Sequence, residues 1–166
     1  MNRYWALAEQ VAYILRFSNT VGKGPLSVDI IVNTRAGALA RKRRLKKVEK
    51  IFRLFTSGLE GERRSADSMA VRYHFTEYHG HAREIARRIS LVGACTGCRR
   101  VVVSLGGDGT HGEIMSVLSN APPEVTEHMI VFRVPLGSGN DGADDPALAH
   151  ALRLMVSAAT HQGVPY

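Results

Sequence analysis

The apolar run RRVVVSL at residues 99–105 constrains the fold most, because it ends directly in the glycine-rich turn GGDGT at residues 106–110. A continuous run of this kind predicts a strand that is buried on both faces, as strands of parallel sheets are. After the turn, Ile114, Met115 and Leu118 share one face of a predicted helix. A buried strand, a tight turn and an amphipathic helix in this order indicate a parallel α/β unit.

Three further short runs read as strands, and each is followed by residues with helical periodicity. These strands are SVDIIVN (27–33), VRYHFTEY (71–78) and MIVFRV (129–134). Four strands that alternate with helices imply right-handed parallel crossovers. We therefore predict an α/β fold in which an open parallel sheet carries helices on both faces.

Composition limits the class of protein. With 166 residues, of which 45% are hydrophobic, the chain is expected to form one compact core. It has no run of about 20 apolar residues that would span a bilayer. Glu9 and Arg16 interrupt the N-terminal stretch where a signal peptide would be apolar, so we expect a cytoplasmic protein. Cys95 and Cys98 lack the further ligands that a zinc site needs and are interpreted as reduced thiols.

Residues 1–26 lie outside the alternation of strands and helices. One face of a predicted helix there carries apolar residues at helical spacing, namely Trp5, Ala8, Val11, Ala12 and Leu15. We interpret this segment as an N-terminal helical extension that packs on the domain or on a second copy of it, which leaves a homodimer open. A helix that lies in a membrane interface is the alternative interpretation.

Basic residues give the chain a formal net charge of +7, with a dense run RKRRLKK at residues 41–47. This charge suits an anionic partner, which could be nucleotide phosphates, nucleic acid or an acidic membrane surface. The run also opens a predicted amphipathic helix, so an ordinary solvated helix face is the favoured explanation, and binding of phosphate or lipid headgroups is the main alternative. Aromatic residues that would stack on bases are sparse near the basic clusters, which argues against nucleic acid.

The turn GGDGT has the features of a phosphate-binding site. Gly106, Gly107 and Gly109 carry no Cβ and let the backbone approach a ligand closely. The following helix is predicted to begin near Thr110, which directs its free N–H groups and positive dipole end at the same point. Asp108 has two interpretations: it caps that helix, or it meets a polyphosphate through a magnesium ion.

A second glycine-rich turn, PLGSGND at residues 135–141, follows the next strand. Ligands of open parallel sheets bind beyond the carboxyl ends of the strands. We therefore expect the two turns to line one crevice.

Together these motifs resemble the diacylglycerol kinase catalytic domain, which is shared by bacterial lipid kinases and, more distantly, by sphingosine kinases. GGDGTHGE (106–113) is similar to the family's GGDGTxNE, PLGSGND to its PLGTxND, and IIVNTRAG (30–37) to its strand ending in NPxSG. Thr76, which is followed by GHAREIA, also matches the family pattern. The resemblance covers residues 27 to 157 and implies a phosphofructokinase/NAD kinase-like nucleotide-binding domain.

The resemblance implies ATP and Mg²⁺ as ligands, with transfer of the γ-phosphoryl group to the hydroxyl of a membrane lipid such as diacylglycerol. It makes Asp108 the magnesium ligand and places Glu113 beside the triphosphate. The full set of nucleotide-binding residues that it implies is Asn33, Thr76, Gly106, Gly107, Asp108, Gly109, Thr110, Glu113, Ser138 and Asn140.

This sequence departs from the family pattern at Thr34, Gly112 and Ser138, which replace Pro, Asn and Thr. Family members are longer, and their second, β-rich domain supplies the catalytic base and closes the lipid cleft. We therefore expect residues 27–166 to be the ATP-binding domain alone, with the β-rich domain absent, and to be inactive by themselves. A peripheral position at the inner face of the membrane would suit the lipid substrate.

Two other functions remain open from the sequence. NAD kinase-like dinucleotide kinases and phosphofructokinases also use a GGDG turn, although PLGSGND resembles the lipid kinase motif more closely. The third interpretation is a non-catalytic basic module that binds nucleotides or nucleic acid, in which the glycine turns are only structural. His111 lies in the glycine turn, where it could touch a phosphate.

Overall fold

The structure, a computed structural model, describes residues 3–19, 21, 24–59, 68–92, 98–137 and 144–157. Its four strands are β1 (Leu26–Val32), β2 (Met69–Phe75), β3 (Arg99–Gly106) and β4 (Met129–Pro135). Its helices are α1 (Arg3–Leu15), α2 (Gly37–Ala40), α3 (Lys42–Ser57), α4 (His81–Leu91), α5 (Asp108–Leu118), α6 (Pro123–Thr126) and α7 (Asp144–Val156). None of these described helices is long and apolar enough to cross a bilayer.

The four strands form one parallel sheet in the order β2-β1-β3-β4. Its register pairs Val28 of β1 with Val101 of β3, and Val103 of β3 with Phe132 of β4. The central strands β1 and β3 are almost entirely buried, as the continuous apolar runs predicted. The predicted fold class, an open parallel α/β sheet, is confirmed.

Helices cover both faces of the sheet because the strands present apolar side chains on both sides. Val28, Ile30 and Val32 of β1 belong to one hydrophobic core, to which α1, α3 and α7 contribute. Ile31 of β1 and Val102 of β3 point to the other face and pack with α4 and α5. The strand period of two thus divides the core into two layers.

Helix α1 belongs to the first of these layers. Six of its residues are buried there: Leu7, Ala8, Val11, Ala12, Ile14 and Leu15. Trp5, which the sequence placed on the same face, is 39% exposed; its ring stacks on Phe75 and packs against Tyr73 of β2 at a tilt. The helix therefore packs on the sheet of its own chain.

The sheet has a topological switch point between β1 and β3. The chain leaves β1 toward α3 on one face and leaves β3 toward α5 on the opposite face. Divergence of neighbouring connections opens a crevice beyond the carboxyl ends of such strands, and open α/β sheets bind their ligands there. The fold therefore predicts a ligand-binding site at this edge of the sheet.

A carboxylate that sequence analysis did not single out is buried within β1. Asp29 is 0% exposed, and its two oxygens accept hydrogen bonds from Arg72 Nε at 2.8 Å and Nη2 at 2.7 Å. His74 Nε2 lies 2.8 Å from Oδ1. Burial raises the pKa of Asp29, but the hydrogen bonds and charges of Arg72 and His74 outweigh it and lower the pKa to about 2. This cluster ties β1 to the edge strand β2.

Candidate functional site

A cavity of about 520 Å³ lies at the carboxyl edge of the sheet. Residues that follow each of the four strands line it: Asn33, Arg35, Ala36, Gly37, Thr76, Tyr78, His79, Ala82, Gly107, Asp108, Gly109, Thr110, Glu113 and Gly137. Its size suits a small organic ligand.

The two glycine-rich turns touch each other at the floor of the site. A Cβ on Gly107 would lie 3.2 Å from Gly137 Cα, and a Cβ on Gly137 would lie 3.0 Å from Gly107 Cα. Leu136 N also donates a hydrogen bond to Gly106 O at 2.7 Å. The structure therefore brings the described parts of the two turns together, as the sequence predicted. Ser138 and Asn140, which were predicted to bind nucleotide, lie outside the described residues.

Asn33 links the end of β1 to the start of α5. Its Nδ2 donates to Thr110 Oγ1 at 2.8 Å, and its Oδ1 accepts from Arg35 N at 3.0 Å. Thr110 is buried against Gly106, where an added Cβ would lie only 2.7 Å from Oγ1. Thr76, also buried, is held by its backbone N–H, which donates to Val32 O at 3.0 Å. The segments after β1, β2 and β3 are thereby fixed relative to one another.

The interpretation of Asp108 as a helix cap is wrong. Helix α5 begins at Asp108, two residues earlier than expected, and Gly107 takes the N-cap position in an extended conformation without a side-chain cap hydrogen bond. The Asp108 side chain is 82% exposed and forms an ion pair with Arg133 of β4. A carboxylate in the first helical turn still interacts favourably with the helix dipole.

Glu113 joins α5 to the start of α4. Its Oε1 accepts a hydrogen bond from Gly80 N at 3.0 Å, and His79 Nε2 lies 3.8 Å away. Gly80 is the N-cap residue of α4 and has a φ of 88°, a left-handed conformation that favours glycine. Glu113 therefore holds the turn after β2 in place, and its carboxylate forms part of the cavity wall.

Three residues with polar side chains lie on the cavity wall but were not among the predicted site residues: Arg35, Tyr78 and His79. Arg35 is exposed, and it is the one Lys or Arg among the described residues that line the cavity. Its position two residues after Asn33 in the turn NTRAG was the available signal. His111, by contrast, is not part of the described cavity wall, and burial lowers the pKa of its imidazole.

No group of three or more His, Cys, Asp or Glu residues in the described ranges is arranged to hold a metal ion. Magnesium in nucleotide enzymes, however, is usually held by one or two carboxylates together with substrate phosphates and water. Asp108 and Glu113 are the two carboxylates among the described lining residues. Their carboxylate oxygens lie on the same cavity wall as the glycine turn, and this donor set fits a magnesium-bound polyphosphate.

Residues 27–162 match the diacylglycerol kinase catalytic domain family. No match was found among curated proteins. The crystal structure of a Bacillus anthracis strain Sterne protein, provisionally named a diacylglycerol kinase, is similar at 16% identity and a TM-score of 0.46. The similarity covers 76% of this chain and 42% of that one, so the matched part spans less than half the length of that protein. Because the family match extends over most of its residues, the chain belongs to the diacylglycerol kinase catalytic domain family.

Proposed function

We propose that this chain is the ATP-binding domain of a lipid kinase that transfers the γ-phosphoryl group of ATP to the hydroxyl of a diacylglycerol-like lipid. The contact between Gly107 and Gly137 at the N-terminus of α5 carries the proposal. This contact sets both turns beside the N-terminus of α5, where a phosphate can meet the free N–H groups of the helix and its positive dipole end.

The remaining residues have roles that follow from their positions. Arg35 adds positive charge for the triphosphate, while Asn33 and Thr76 contact the nucleotide from the ends of β1 and β2. Asp108 and Glu113 supply carboxylate oxygens for Mg²⁺, which neutralises phosphate charge when bound. Phosphoryl transfer depends mainly on positioning and charge stabilisation, the functions that these groups can perform.

No residue of this chain is assigned as the catalytic base. The family resemblance places that group, and the cleft for the lipid, in a second, β-rich domain. We therefore expect these 166 residues to bind nucleotide and to transfer no phosphate on their own.

The lipid substrate also requires contact with a membrane. Helix α3 carries seven basic side chains and one acidic one, and most of the basic ones are exposed. We propose that this helix draws the cytoplasmic protein to the anionic inner face of the membrane, where it acts as a peripheral enzyme.

The proposal is tested by titration calorimetry of ATP, with and without Mg²⁺, against the wild-type chain and Asp108→Asn. We expect the wild type to bind ATP more tightly with Mg²⁺ than without it. Asp108→Asn should lose most of this difference because the amide has no negative charge for the metal. Glu124→Gln, which changes an exposed carboxylate outside the described cavity wall, is the matched control and should behave as the wild type does.

Two outcomes would contradict the proposal. A folded wild type that binds no ATP would mean that the glycine turns are only structural. Tighter binding of NAD than of ATP would favour a dinucleotide kinase instead.

A further inference from the structure

The cavity wall includes one ring that is held rigidly in place. Tyr78 stacks on His81 with ring centroids 4.5 Å apart and planes 2° from parallel. Its hydroxyl donates a hydrogen bond to Glu84 Oε2 at 2.8 Å. Two independent contacts thus fix both the plane of the ring and its rotation within that plane.

Neither of these supporting residues belongs to the described cavity wall. Tyr78 lines the cavity, whereas His81 and Glu84 are absent from its described wall. Tyr78 remains 50% exposed with both supports in place, so the contacts with His81 and Glu84 leave part of its surface uncovered. Among the described lining residues it is the one Phe, Tyr or Trp. A large aromatic surface held in place but left uncovered is what a planar ligand group needs for stacking.

The position of Tyr78 matches the shape of a nucleotide. The glycine turns follow β3 and β4, while Tyr78 follows β2, which lies two places from β3 in the sheet. Neighbouring strands are about 4.8 Å apart, so roughly 10 Å separates the two ends of the cavity. This separation is comparable to that between the phosphates and the base of a nucleotide.

We propose that Tyr78 is the stacking platform for the nucleobase of the bound nucleotide. The inference rests on the proposed function, because it takes the glycine turns as the phosphate end of the same site. Stacking accepts any base, since every base has a π face. Tyr78 therefore contributes affinity for a nucleoside without choosing adenine over guanine.

The experiment compares ATP, GTP and inorganic tripolyphosphate, each with Mg²⁺, by titration calorimetry. Tyr78→Leu keeps an apolar side chain and removes the ring, so it should weaken the binding of ATP and GTP roughly tenfold. Tripolyphosphate has no base, and its affinity should not change. Tyr78→Phe keeps the ring without the hydroxyl and should stay close to the wild type. Circular dichroism verifies that each variant is folded.

The possible results separate the two proposals. Equal losses for ATP and tripolyphosphate in Tyr78→Leu, or no loss for ATP, would overturn the stacking role. A wild type that binds tripolyphosphate as tightly as ATP would also overturn the stacking role, but it would leave the proposed phosphate site intact. A wild type that binds neither ligand would overturn the proposed function and the stacking role with it.

Discussion

At the level of single residues, the candidate site depends on two missing Cβ atoms. Gly107 and Gly137 belong to turns that are 30 residues apart in sequence, and their backbones are in contact. Contact at a backbone atom leaves no flexible side chain that could move aside. A substitution at either position must therefore shift one turn relative to the other.

Gly137→Ala tests this contact between the two turns. Its Cβ would lie 3.0 Å from Gly107 Cα, closer than such atoms normally approach. We expect a loss of stability of about 1–3 kcal/mol, typical of an overpacked position, and weaker ATP binding because the turns separate. Urea unfolding measures the free energy of unfolding, and calorimetry measures the affinity.

Gly112→Ala is the matched control for this substitution. A Cβ on Gly112 meets no atom within 4 Å, and the residue lies inside α5. Alanine favours helix over glycine by roughly 0.5–1 kcal/mol, so this variant should be as stable as the wild type or more stable. If both variants lose ATP affinity equally, close contact between the turns is not the reason.

How far the sequence predicts the site depends on the kind of residue. Gly107, Asn33 and Thr110 were predicted because glycine turns and strand ends carry recognisable patterns, and the structure brings them together. Tyr78 was not singled out because the role proposed for it depends on His81 and Glu84, which contact it only once α4 has formed. Asp29 was read as part of an apolar strand because its partners come from β2, which is distant in sequence.

At the level of elements, the periodicity of the sequence predicted all four strands and the longer helices. Strand ends differ from the predicted ones by up to three residues, as expected where pairing rather than composition sets the boundary. The four-residue helices α2 and α6 were not predicted. They are too short to show a helical period, so only the folded chain reveals them.

Helix α3 shows the clearest division between a buried and an exposed face. Leu45, Val48 and Phe52 are buried in the core, and its one acidic residue, Glu49, pairs with Arg3. The exposed face carries Arg43, Lys46, Lys47, Lys50 and Arg53. This surface is strongly basic, so it should attract an anionic bilayer.

We predict that the chain binds phosphatidylglycerol vesicles and not phosphatidylcholine vesicles. Each Lys near an anionic surface contributes about 1 kcal/mol, so Lys46→Gln/Lys47→Gln/Lys50→Gln should weaken this binding by roughly 100-fold. Sedimentation with vesicles at several salt concentrations measures the binding, which should weaken as the salt concentration rises.

A triple variant on the opposite face of the sheet controls for net charge. Arg83→Gln/Arg87→Gln/Arg88→Gln removes three exposed cations from α4 and should bind vesicles nearly as the wild type does. If both variants lose binding equally, the attraction comes from net charge and not from α3. Competition by single-stranded DNA for the same face would indicate a nucleic-acid partner instead.

At the level of the whole molecule, the family match and the folded unit have different boundaries. The match begins at residue 27, yet α1, which precedes it, contributes to the same hydrophobic core as β1 and β3. The sequence separated residues 1–26 as an extension because they fall outside the alternation of strands and helices. Their packing partners on α3 and α7 became apparent only in the structure.

The last prediction concerns a chain that begins at Gly24 and therefore lacks α1. Four large side chains of α1, those of Leu7, Val11, Ile14 and Leu15, are at most 1% exposed. Burial of each contributes about 1.5–3 kcal/mol, so their loss removes roughly 6 kcal/mol or more, as much as the whole stability of many domains. We expect the shortened chain to lose its cooperative unfolding transition in urea. Circular dichroism measures this transition.

Two point variants of the full chain distinguish the loss of core packing by α1 from the effect of shortening the chain. Leu15 is fully buried, so Leu15→Ala should lower the free energy of unfolding by about 2–5 kcal/mol. Leu54 on α3 is 60% exposed, so Leu54→Ala should change the free energy of unfolding by less than about 0.5 kcal/mol. A shortened chain that unfolds cooperatively at the wild-type urea concentration, together with a neutral Leu15→Ala, would show that α1 is an appendage. The domain would then begin where the family match does.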